Sequence, residues 1–198
     1  MNNVTWDWPL FEVLNFDGPV WLDGVMTAVS GTTMWVPLYL LIIYMVWRRY
    51  SWRCLLVFIV AMGVAICMAD VVAALFKHQG PLGNLLPSFP ARLRPMHTPV
   101  GLDVCANGYF TGNLYGTVSG HTSTIVAITL LSTYAVGRKW FSFVMPMVAV
   151  LICYSRIYLA CHFPQDILLG AVLGVASGVC GILLFRWLQQ LLARNKKS

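Results

Sequence analysis

Three short stretches of this chain carry side chains that could do chemistry together. Tyr154 to Asp166 reads YSRIYLACHFPQD and sets Arg156, His162 and Asp166 at the edge of an apolar run. ARLRPMH supplies Arg92, Arg94, Pro95 and His97, and GTVSGHTSTIV supplies Ser119, Gly120 and His121. Each guanidinium offers a planar fork of donors that matches phosphate oxygens. A helix entered at Ser119–Gly120 would present free backbone N–H groups, which favour an anion. Gly120 allows close backbone approach, and Ser119 adds a hydroxyl donor. Phosphate is the ligand these parts fit best. A neutral imidazole can attack phosphorus when a carboxylate orients it and keeps its other nitrogen protonated. Asp166 follows His162 by four residues, but Pro164 intervenes. Proline belongs in a first helical turn with an extended residue before it. The spacing therefore predicts Asp166 in the first turn of a helix, reaching back to a His162 just outside it. His121 is placed to protonate the leaving oxygen and then to activate water.

These groups need elements to hold them, and the composition says what kind. The 198 residues are 59% hydrophobic and 10% charged, with mean hydropathy +0.73. Soluble domains carry about 25% charged residues, so the chain reads as one integral membrane domain, residues 1–198. No repeat, linker or low-complexity tract divides it, and the N-terminus lacks the basic and apolar regions of a cleavable signal peptide. Asn3-Val4-Thr5 matches a glycosylation sequon too common to use. A spanning helix needs roughly 20 apolar residues. Five segments qualify: Met26–Trp47, Cys54–Phe76, Val118–Val136, Trp140–Leu159 and Ile167–Phe185. The expected fold is thus an all-α polytopic bundle of about five spans. TWDWPLFEVLNFDGPVWLDG precedes them as an interfacial or re-entrant segment.

Basic residues mark the cytoplasmic side. Arg48, Arg49, Arg53, Arg138, Lys139, Arg186, Arg194, Lys196 and Lys197 fall on one side of such a bundle. Lys77, Arg92, Arg94, Arg156, all four histidines, Asp103 and Asp166 fall on the other. The titratable groups thereby gather on one face, expected to be periplasmic or extracellular. Asp70, inside the second span, reads first as a helix-packing hydrogen bond. His78 and His97 read as surface residues, and Arg92 either as a phosphate ligand or as a loop charge. The six cysteines show no C-x-x-C pair, and pairing of Cys105 with Cys161 is possible.

The three stretches resemble the motifs of the type 2 phosphatidic acid phosphatase superfamily: K-x6-R-P, P-S-G-H and S-R-x5-H-x3-D. The third is complete, from Ser155-Arg156 through His162 to Asp166; the second has Val118 in place of its proline. The first keeps Arg94-Pro95, but Pro87 stands where the lysine belongs and Lys77 is the nearest lysine upstream. The resemblance implies His162 as nucleophile, Asp166 as its orienting partner and His121 as general acid and base. It implies Lys77, Arg94, Ser119, Gly120 and Arg156 as phosphate ligands, with no metal, no other cofactor and no nucleic-acid partner. The implied activity is hydrolysis of a lipid phosphate or diphosphate, at the periplasmic face of a bacterial inner membrane. Undecaprenyl diphosphate is the first choice of substrate. Phosphatidylglycerophosphate, phosphatidate, lipid A phosphate and transfer to another lipid are alternatives. An intramembrane serine protease would leave the arginines unexplained, and an inert membrane protein would leave the third motif's spacing unexplained.

Overall fold

The computed structural model describes residues 6–78, 85, 88, 90–98 and 104–194. Asn3–Thr5, Asp103, Lys196, Lys197 and most of the stretch joining Lys77 to Arg94 lie outside the described residues. Seven α-helices occur among those described: α1 Trp8–Leu14, α2 Val20–Ser30, α3 Val36–Arg49, α4 Trp52–Leu75, α5 Gly120–Val136, α6 Lys139–Tyr158 and α7 Pro164–Arg194. The chain is an all-α membrane bundle. Helices α4, α6 and α7 are long and apolar enough to cross a membrane.

The first expected span is not one helix. Helices α2 and α3 meet at a 70° bend. Gly31 ends α2 with extended backbone (ψ 146°), and a short 3-10 turn, Thr33–Trp35, leads into α3. The Trp35 indole donates to Val29 O at 2.8 Å, occupying a carbonyl that the broken helix leaves without a partner. Taken together the pair is a fourth candidate span.

Helix α5 sits at the centre, packed on α3, α4, α6 and α7. Its 17 residues span about 26 Å, short of the ~30 Å hydrocarbon core. Eleven of them are buried, from Gly120 to Val136. Burial of most of its surface explains why α5 holds Thr122, Ser123, Thr129 and Ser132 inside. Lipid gives no hydrophobic force between helices, so small residues that permit close packing must supply the cohesion. Helix α7 presents Gly170, Gly174, Gly178 and Gly181 to that end, and α4 presents Ala61, Ala65, Ala69 and Ala73 at a spacing of four. A Cβ on Gly174 would stand 2.6 Å from Ser123 O, and one on Gly181 would stand 3.0 Å from Ala65 Cβ. Large apolar side chains such as Val64 on α4, Val150 on α6 and Val172 on α7 remain on the outside, as a lipid-facing surface requires. Helix α7 runs past its expected end at Phe185 to Arg194.

The N-terminal segment does more than lie at an interface. Trp8 and Phe11 are buried against Ile157, at the end of α6, and Ala160 and Phe163, in the turn that follows it. Asn15 is buried and donates to Tyr158 O and Cys105 O at 2.8 Å, while its Oδ1 accepts from Cys105 N. Leu10, Val13, Phe16 and Val20 stay exposed. The segment is a strap over the end of the bundle that carries the motifs.

Candidate active site

The α6–α7 turn is built to present His162. Ala160 adopts φ 51°, a left-handed conformation that a non-glycine residue holds only when its surroundings enforce it. The backbone N–H groups of Cys161 and His162 then both return to Arg156 O, at 2.9 and 3.2 Å. Pro164 opens α7, and Asp166 sits in its first turn. Asp166 Oδ2 accepts the Phe163 N–H at 3.1 Å, in the manner of an N3 carboxylate reaching back to its cap. The same oxygen faces His162 Nδ1 at 3.4 Å. The arrangement expected from the sequence is present: a histidine outside the helix, and its carboxylate partner in the first turn. Both are almost fully buried, at 1% exposure.

Arg94 arrives from a different direction. Residues 92–94 run antiparallel to 114–116, with Arg94 N donating to Leu114 O and Gly116 N donating to Arg92 O, each at 2.8 Å. Alternation along this extended pair puts Arg92 and Arg94 on one face. Arg94 Nη1 donates to Cys161 O at 3.3 Å. A Cβ on Gly116 would lie 2.9 Å from Asp166 Oδ2, 3.4 Å from His162 Nδ1 and 3.4 Å from Arg94 Cγ. Gly116 therefore lets the ladder, the arginine and the His162–Asp166 pair close on one another. The sequence gives no periodicity or motif by which to single it out.

Ser119 caps α5, its Oγ accepting from Thr122 N at 3.3 Å and Thr122 Oγ1 at 3.0 Å. Both bonds use Ser119 as acceptor, so its own proton remains for an anion. Lys77 emerges just beyond α4, and its Nζ lies 3.2 Å from where a Gly120 Cβ would be. Fold geometry thus brings Lys77 to the start of α5 despite its distance in sequence from Arg94. Arg156, near the end of α6, donates to Ser30 Oγ at the α2–α3 bend, and its guanidinium stands 5.5 Å from the Tyr109 ring.

Charge is the dominant property of this region. Lys77, Arg94 and Arg156 are each less than a tenth exposed. Burial, then the neighbouring Arg94, holds the Lys77 ammonium down to about 8. Burial also lowers Arg94. His162 is pushed well below the ordinary imidazole range by burial and by Arg94, Lys77, Arg156 and His121. It is therefore neutral at physiological pH, with a lone pair available. The buried Nε atoms of Arg94 and Arg156 have no hydrogen-bond partner among the described residues. Buried donors of this kind normally find an acceptor.

His121 and Gly120 line a cavity of about 270 Å³ with Ser30, Asp70 and Thr124. It adjoins an apolar groove of about 450 Å³ between α3 and α4, lined by Ile42, Phe58, Ile59, Met62 and Ile66; Thr32, Tyr39, Thr124 and Ile128 border both. Asp70 is an exposed carboxylate on the cavity wall, 3.4 Å from the Gly120 Cβ position. That corrects the packing role expected for it. The signal was present, since an ionisable residue in an apolar span is a functional candidate by default.

Other expectations resolve as follows. Arg92 is engaged by Asp7 in two bonds, at 3.0 and 2.9 Å. His97 Nε2 lies 3.0 Å from Thr111 O, and His78 lies against the Tyr115 ring. Cys161 is a free, buried thiol, so the possible pairing with Cys105 does not form.

Relatives carry related chemistry. Over 171 residues the chain is 30% identical to a lipid A 4'-phosphatase of Bacteroides thetaiotaomicron, covering 84% of this chain and 72% of that protein. It is 25% identical to an undecaprenyl-diphosphatase of Sulfolobus acidocaldarius, over 87% of this chain and 75% of that protein. Its fold matches the crystal structure of Aquifex aeolicus LpxE with a TM-score of 0.65 at 22% identity, covering 94% and 98% of the two chains. Residues 71–192, which hold every candidate named above from Lys77 to Asp166, match the PAP2 superfamily, and the chain belongs to that family.

Proposed function

We propose that this PAP2 lipid phosphatase hydrolyses the phosphate of a membrane lipid through a phosphohistidine on His162. The observation that carries the reading is the trio of buried cations, Lys77, Arg94 and Arg156, with two guanidinium Nε donors unpartnered among the described residues. An anion of high charge density offsets such burial. With Nδ1 turned to Asp166, His162 Nε2 is the attacking atom. It bonds to phosphorus as the bond to the lipid oxygen breaks, and His121 gives that oxygen a proton. His121 then takes a proton from water, whose oxygen attacks phosphorus, releases phosphate and regenerates His162. Lys77, Arg94, Arg156, the Ser119 hydroxyl and the N–H groups at Gly120 stabilise the charge that builds on phosphorus oxygens.

The apolar groove next to His121 supports a lipid tail lying between α3 and α4. A phosphomonoester on a hydroxylated head group is the preferred substrate class, with lipid A phosphate as its example. Asp70 on the cavity wall accepts hydrogen bonds from hydroxyls and repels a second phosphate. The Bacteroides relative supports this order, while the Sulfolobus relative supports undecaprenyl diphosphate as second choice.

The test is phosphate release from lipid A, undecaprenyl diphosphate and phosphatidate in detergent without an acceptor lipid, together with acid-quench trapping of phosphoenzyme. Lipid A should turn over fastest. His162→Ala should abolish turnover and phosphoenzyme together, and His121→Ala should slow turnover by about 10²–10⁴-fold. Activity should survive EDTA and fall with vanadate. A chelator-sensitive activity restored by magnesium would overturn the scheme.

A further inference from the structure

Asp7 immediately precedes α1 and is fully buried. Its carboxylate accepts two N–H bonds from Arg92 and a third from the backbone of Gln165 at 3.0 Å. Gln165 N is one of the first-turn donors of α7 that the helix itself leaves unmet. Arg92 is held on several sides. Its backbone N–H donates to Thr117 Oγ1 at 2.9 Å, its carbonyl accepts from Gly116, and its guanidinium sits over the Phe163 ring at 3.5 Å. From that position Nη1 stands 3.9 Å from Asp166 Oδ1. The two oxygens of Asp166 are thus divided: Oδ2 faces Phe163 N and His162, and Oδ1 faces Arg92. An alternating row of charges, Asp7, Arg92 and Asp166, ends on the histidine.

We propose that Asp7 and Arg92 are positioning residues for the Asp166–His162 pair, so that the N-terminal strap completes the site. The proposal rests on the reading of His162 as nucleophile. A buried carboxylate with no countercharge takes up a proton or turns towards another donor. Either change would leave His162 Nδ1 without its acceptor. Arg92 supplies the countercharge. Asp7 fixes Arg92 in place and, by pairing with it, keeps it from becoming a fourth cation on the phosphate. The same carboxylate ties down the start of α7, on which Asp166 stands.

The experiment uses the full chain in detergent, with four variants: Asp7→Asn, Arg92→Gln, Arg92→Lys and the exchanged pair Asp7→Arg with Arg92→Asp. Thermal unfolding and gel filtration give the folded fraction, to which every rate is normalised. Asp7→Asn and Arg92→Gln should lower kcat and the rate of phosphoenzyme formation by on the order of 10²-fold, as misplacement of a reacting group does, with KM unchanged. Arg92→Lys should recover part of kcat. The exchanged pair should recover part of the thermal stability but not kcat, because a carboxylate now faces Asp166 and an arginine cannot accept the Gln165 N–H. Restoration of kcat by the exchange would mean that the ion pair is only structural. A raised KM with kcat retained would make Arg92 a phosphate ligand, and full activity in Asp7→Asn would remove the strap from the site. Phosphoenzyme trapping on wild type and His162→Ala tests the nucleophile separately.

Discussion

His162 and Asp166 lie four residues apart, and their pairing needs only one turn and one helix start. Local rules for proline and helix caps were enough to foresee it. Gly116 and Ser30 were not legible in this way, because each meets the site through a fold that brings distant segments together. Lys77 is the intermediate case. Its residue type was suggestive, but the residues separating it from Arg94 broke the expected spacing, and only the convergence at Gly120 gives it a partner. Its charge makes a prediction. Burial and Arg94 hold Lys77 to about 8, so the ammonium is present below that pH and lost as pH rises through it. If Lys77 binds phosphate as proposed, free enzyme therefore loses one phosphate-binding charge on the alkaline side. kcat/KM should decline above about pH 8 in the wild type, while Lys77→Met should be low and show no such decline. An identical alkaline limb in Lys77→Met would assign that titration to another group.

The helices that face lipid were plain in the sequence, because long apolar runs are what lipid selects. Breaks inside such runs are harder to see. Gly31 lies in a stretch apolar enough to read as continuous, and at the 70° bend the Trp35 side chain bonds back to Val29 O. The glycines of α7 were visible as residues but not as a packing surface, since their partners on α4 and α5 lie far away in sequence. That surface has a functional consequence at one end. A Cβ on Gly170 would meet Ser119 O at 2.6 Å and Ser119 Cβ at 3.2 Å. Gly170→Ala must therefore push α7 away from Ser119, the residue that caps α5, in addition to overpacking that typically costs about 1–3 kcal/mol. Gly178→Ala meets Leu130 at 3.0 Å, at a contact remote from the cradle. We expect Gly170→Ala to lose both thermal stability and kcat/KM, and Gly178→Ala to lose mainly stability. Equal kcat/KM in the two folded variants would show that the α5–α7 contact at Ser119 does not transmit to the site.

Across the whole molecule, charge separates the two ends of the bundle. Arg49 donates to Ala135 O at 3.1 Å, joining the α3–α4 loop to the end of α5. Arg48, Arg49 and Arg138 surround one cavity of about 440 Å³ there. Lys77, Arg92, Arg94 and Arg156 gather at the opposite end, where Asp7, Asp166 and the α6–α7 turn engage or adjoin them. The first group is exposed and available to anionic lipid heads, while the second is spent on the site. Because retention of exposed Lys and Arg on the cytoplasmic side orients a membrane chain, the exposed group should be cytoplasmic and the active site periplasmic. Impermeant maleimide on intact cells tests this in a background whose native cysteines are replaced and whose activity is retained. A cysteine at exposed Asn113, beside the site, should label at once. A cysteine at Lys139, at the start of α6, should label only after permeabilisation. Labelling in the reverse order would place the phosphatase site in the cytoplasm and its substrate in the inner leaflet.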